Sequence, residues 1–99
     1  MVHTKIDGVI EAVRYTSLGE IAVARAYERH GAVWSDHVLL GRQELVERLK
    51  KGKRFVAGER KEFLGGVFEA GTAVRYTNEH IVTDGQKAER DLLTGVPVF

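Results

Sequence analysis

Eleven glycines and one proline cut this 99-residue chain into short runs, and only one of those runs carries the periodicity of a helix. The rest are rich in β-branched and aromatic residues at a period of two, which predicts a core built mainly from short strands. The first run, Ile6 to Tyr15, sets Val9, Val13 and Tyr15 on one parity and Ile6, Ile10 and Ala12 on the other. Apolar residues on both faces predict a strand in a covered sheet. After a turn at Thr16–Gly19, the run Glu20 to Arg29 alternates Ile21, Val23 and Tyr27 with Ala22, Ala24 and Ala26. Alanine favours helix, but the β-branched and aromatic positions keep a period of two and predict a strand.

His30-Gly31 turns the chain into a third strand over Ala32 to Leu40. A fourth covers Arg54 to Ala57, followed by a polar connection at Glu59 to Glu62 and a turn or bulge at Gly65-Gly66. Val67 to Tyr76 reads as a strand with Phe68, Ala70, Thr72, Val74 and Tyr76 on one face. Thr77-Asn78-Glu79 then predicts a hairpin turn, with His80 to Thr83 pairing back.

The helical run is Arg42 to Lys51. Gly41 serves as N-cap, Glu44 sits in the first turn, and Leu45, Val46 and Leu49 form an apolar stripe. Glu44 with Arg48, and Glu47 with Lys51, have the spacing and orientation of i,i+4 ion pairs. Gly52 supplies the residue that closes the helix.

These elements predict a mainly β, α+β fold. Its expected form is a small twisted sheet of five or six strands, or a barrel of the SH3-like or OB-like kind, with one helix at about 42–51. Residues 1–85 form one domain, near the commonest domain size. Residues 86–99 make a C-terminal tail, docked or mobile, with one or two helical turns over Ala88 to Leu93 and an extended end around Pro97.

The absence of cysteine excludes disulfides, thiolate metal sites and cysteine nucleophiles. It suits a reducing compartment, and with no secretory-type or membrane-spanning run the expectation is a cytoplasmic protein. The serines lack a nucleophile-elbow context, and the glycines match neither a phosphate-loop nor a dinucleotide pattern. His3, His30, His37 and His80 show no metal-ligand spacing. The chain therefore reads as a non-enzymatic binding module with no metal and no cofactor.

Charge is distributed unevenly. Arg42 to Lys61 holds eight basic and three acidic residues, a net of +5, while the other 79 residues hold seven basic and eleven acidic ones, a net of −4. Lys50, Lys51, Lys53 and Arg54 straddle the end of the helix, and Arg60 and Lys61 follow in the expected loop. A basic patch on an acidic body attracts phosphate backbones, and Phe55, Phe63, Phe68 and Trp34 would supply stacking surfaces for single strands. The plainer account is that lysines sit at helix C-termini on dipole grounds, with Phe55 and Phe68 in the core. A pI of about 8.1 falls below the usual mark of a nucleic-acid binder. The leading expectation is nucleic-acid binding through Lys50, Lys51, Lys53, Arg54, Arg60 and Lys61. The alternative is a protein-interaction or assembly domain, a homodimer included, using a sheet edge, Trp34, or Leu92, Leu93 and Phe99 of the tail.

Overall fold

The computed structural model describes residues 6–30, 33–61, 67–83 and 90–99, with backbone alone over 59–61 and 67–71. The elements are β1 (Gly8–Tyr15), β2 (Ile21–His30), β3 (Val33–Trp34), β4 (Val38–Gly41), α1 (Arg42–Lys50), β5 (Phe55–Lys61), β6 (Val67–Thr77) and β7 (His80–Thr83). Among the described residues the fold is mainly β with one helix, and the seven strands form a single twisted, unclosed sheet in the order β3-β2-β1-β5-β6-β7, with β4 also on β2. Among these strands, β1 and β5 pair in parallel, Gly8–Ile10 with Phe55–Ala57.

The expected third strand is broken in two. Trp34 pairs with Arg29 and Val38 with Ala26, so three residues of one strand face two of the other. Ser35 holds this bulge: its hydroxyl accepts from the Glu28 amide at 2.9 Å and its own amide donates to the Glu28 carbonyl at 2.8 Å. The side chain thus satisfies a backbone donor that the interrupted ladder cannot. A second correction concerns Glu59–Glu62. Glu59, Arg60 and Lys61 are no loop but the end of β5, paired with Glu69, Phe68 and Val67.

Helix α1 packs against β2, β4 and β6. Ala24 and Ala26 are fully buried in the core with Leu45 and Val46 of the helix. That position explains the alanines in β2: small side chains belong where a helix lies on a strand. Lys53 N–H donates to the Arg48 carbonyl and Gly52 N–H to the Leu49 carbonyl, each at 3.1 Å, with Gly52 at φ +86°. This Schellman closure satisfies two orphan carbonyls of the last turn. The two expected i,i+4 ion pairs do not form. Arg48 pairs instead with Glu28 on β2, and Glu47 accepts from Gln43 at 3.4 Å. A partner held on a rigid strand outcompetes one on the same exposed helix face.

Residues 91–99 lie along two edges of the sheet. The Leu92 amide donates to Ile81 at 2.9 Å on β7, and the Val13 amide of β1 donates to Pro97 at 2.9 Å. Leu92 bridges Val82, against the expected helical turns over Ala88 to Leu93, whose first two residues lie outside the described ones. Between these bridges Leu93 and Val96 enter the core. Asp91, with its side chain fully buried, accepts from the amides of Ile21 and Ile81 at 2.9 Å each. Arg42 completes the arrangement, donating to both carboxylate oxygens at 2.7 and 3.2 Å. Among the described residues no helix is long and apolar enough to cross a membrane.

Candidate nucleic-acid interface

The cations predicted from the sequence divide into three places. Lys51 and Lys53 line a cleft of about 280 Å³ at the end of α1, together with Glu47 and Arg48 of the helix and Glu28, Arg29 and His30 at the end of β2. Asp7 and Phe55 complete the lining. The Schellman turn brings the two lysines there, because it reverses the chain over the last carbonyls of the helix. Arg54 is exposed beside them. Its backbone is fixed: its amide donates to the Asp7 carboxylate at 2.9 Å, and its carbonyl accepts from Asp7 and Gly8 at 2.8 and 3.1 Å. Lys50 turns to the β6 side, its Nζ 5.6 Å from the centre of the Tyr76 ring. Arg60 and Lys61 close β5, six and seven residues beyond Arg54. At roughly 3.3 Å per residue this places them about 20 Å from the helix end.

The aromatic half of the expectation is not met at the cleft. Phe55 is 2% exposed, packed so closely over Gly8 that a Cβ there would fall 2.3 Å from the ring. It cannot stack on a base. Trp34 is half-buried on β3, opposite Arg29. The Phe68 side chain and the whole of Phe63 lie outside the described residues.

Within the cleft the charges are of both signs. The Glu28 carboxylate is taken up by Arg48. Among the described residues, no acid is paired with the side chains of Lys51, Lys53 or Arg54, and no cation with those of Asp7 or Glu47.

The residues of the alternative reading are partly used internally. Leu93 is 2% exposed, inside the chain's own core. Leu92 is half-buried against β7. Phe99 is half-buried beneath the guanidinium groups of Arg14 and Arg25, 4.7 and 5.1 Å from its ring centre. The exposed apolar residues of the sheet edge are instead Val33 and Leu39, 68% and 61% exposed.

Two polar clusters escaped the sequence reading. One is the Asp91–Arg42 centre. The other lies on the opposite face of β1 and β2, where His37 Nε2 is 2.6 Å from both Glu11 and the Tyr27 hydroxyl, and Glu11 is 2.9 Å from Arg25. Glu11 reaches them because β1 bulges there, between Ile10 and Ala12. No local motif announces either cluster, since the residues that contact one another are 10 to 70 positions apart in sequence. Among the described residues, no three histidine or carboxylate side chains converge as a metal site requires. No protein-family model matches the chain, and no curated protein or solved structure shows significant similarity to it.

Proposed function

We propose that this chain is a non-enzymatic binding module that engages nucleic acid through its phosphates, with Lys51, Lys53 and Arg54 as the contact residues. The observation that carries the reading is the grouping of three exposed cations, none paired with an acid among the described residues, at one rigidly closed helix end. A lysine held only by the helix dipole is free to exchange that interaction for a phosphate. Because Phe55 is sealed in the core, recognition of this kind rests on backbone charge and is indifferent to sequence.

Fluorescence anisotropy of labelled single-stranded RNA, single-stranded DNA and duplex DNA tests this at two salt concentrations. Three phosphate contacts predict a log–log salt slope of about −2 for single strands and about −3 for duplex. The charge reversal Lys51→Glu/Lys53→Glu/Arg54→Glu should abolish binding. Absence of binding at low salt, where such electrostatics are strongest, would remove the proposal.

A second reading is favoured by Val33 and Leu39, exposed on β3 and β4 with no strand outside them among the described residues. In this reading the edge docks a protein partner, a second copy included. Such binding would barely change with salt and would survive the charge reversal. Sedimentation of the wild type and of Leu39→Lys separates the two readings.

A further inference from the structure

The cleft beside the helix end is small and lined by side chains of both charges. Lys51 and Lys53 converge there because the chain reverses at Gly52. Asp7 and Glu47 line the same cleft, and neither is paired with a cation among the described residues. A strand laid across this cleft would bring its neighbouring phosphates up to those two carboxylates. A chain end has a neighbour on one side only. At neutral pH a terminal phosphomonoester also carries close to two charges, its second pKa being about 6. An internal diester carries one. The volume of about 280 Å³ is at the small end for ligand pockets.

From this juxtaposition in one small cleft of two lysines and two carboxylates, none of them in an ion pair among the described residues, we infer that the site takes a terminal phosphomonoester, such as the end of a nucleic-acid strand. The inference rests on the phosphate-binding reading above and narrows it. Lys51 and Lys53 hold the phosphate, and Asp7 and Glu47 turn away a strand that continues past it. The same chemistry is offered by a free mononucleotide, and the experiment distinguishes the two.

Short single-stranded RNAs of one sequence, bearing a 5′-phosphate, a 3′-phosphate, hydroxyls at both ends or no ends at all as a circle, are compared by fluorescence anisotropy. A nucleoside monophosphate is titrated by calorimetry. One or both phosphate-ended strands should bind roughly three- to tenfold tighter than the hydroxyl-ended and circular forms. The variant Lys51→Gln/Lys53→Gln should erase that difference. Glu47→Gln should narrow it by raising the affinity of the hydroxyl-ended strand. Equal affinity for all four strands overturns the terminal site while leaving nucleic-acid binding in place. A mononucleotide that binds when no strand does keeps the phosphomonoester site and overturns the nucleic-acid reading. Failure of strands and mononucleotide alike overturns both.

Discussion

The Asp91 carboxylate accepts four hydrogen bonds, two from backbone amides on β2 and β7 and two from Arg42 at the start of α1. Its side chain has no solvent to fall back on. Removing the carboxylate leaves the buried Ile21 and Ile81 amides without their acceptor, at a combined cost of about 2–6 kcal/mol, while Arg42, its side chain 26% exposed, keeps the Glu79 carbonyl. Asp91→Ala is therefore expected to lower the unfolding free energy by that amount in urea titration. Burial by itself would raise the Asp91 pKa. The hydrogen bonds from Arg42, Ile21 and Ile81, with the Arg42 charge, outweigh it and hold the carboxyl below its ordinary value. As pH falls the unfolded chain takes up this proton first. The stabilisation is thus complete above the ordinary value of 3.8 and is lost as pH drops from there through the folded value. Thermal melts in this acid range should fall more steeply for the wild type than for Asp91→Asn. Parallel slopes would show that other carboxylates govern acid unfolding.

Among the elements, the β6–β7 hairpin carries a local conflict. Asn78 and Glu79 sit at φ 51° and 64°, as a two-residue turn between right-twisted strands requires. Asparagine tolerates that conformation, but glutamate pays a steric penalty of about 1–2 kcal/mol. Glu79→Gly relieves it, against a smaller loss from the more flexible unfolded chain. A gain of roughly 0.5–1 kcal/mol is expected, read as a rise in Tm of a few degrees. An unchanged or lower Tm would mean that the Glu79 side chain compensates its backbone. The Arg42 bond to the Glu79 carbonyl, 2.8 Å, is a main-chain contact and survives the substitution. The last segment of the chain acts as an element too. It covers the outer edge of β7 through Leu92 and the upper edge of β1 through Val98, which removes two exposed ladders. The edge formed by β3 and β4 is interrupted by the bulge at Ser35–His37, so a partner docking there meets the exposed Val33 and Leu39 on two short ladders instead of one long one.

At the scale of the whole molecule, β5 divides the basic segment into two. With Arg60 and Lys61 about 20 Å from the helix end, the two groups are separated by about twice the screening length at 0.1 M salt. Arg60→Glu/Lys61→Glu should therefore change nucleic-acid affinity less than about twofold, while reversal at Lys51 and Lys53 abolishes it. A large effect of the distant pair would show a longer contact path than the cleft provides.

The periodic features were legible from the residues alone. The helix at Arg42, its Gly52 closure, the strands β1, β2 and β6, and the Asn78 turn each follow from patterns within a dozen residues, where backbone sterics and side-chain alternation act directly. The alanines of β2 were legible as strand but not as the seat of a helix, because that depends on what packs across them. Tertiary structure alone decided that β5 runs on through Glu59–Lys61, since an open β6 edge supplied partners for a polar stretch. It also moved Arg48 from Glu44 to Glu28, placed Leu93 inside, and gathered Arg42, Asp91, Ile21 and Ile81 at one point. Local sequence sets what each segment prefers. Which distant donor meets which acceptor follows only once the strands are ordered, and that is where this chain's cleft and its buried charge pair arise.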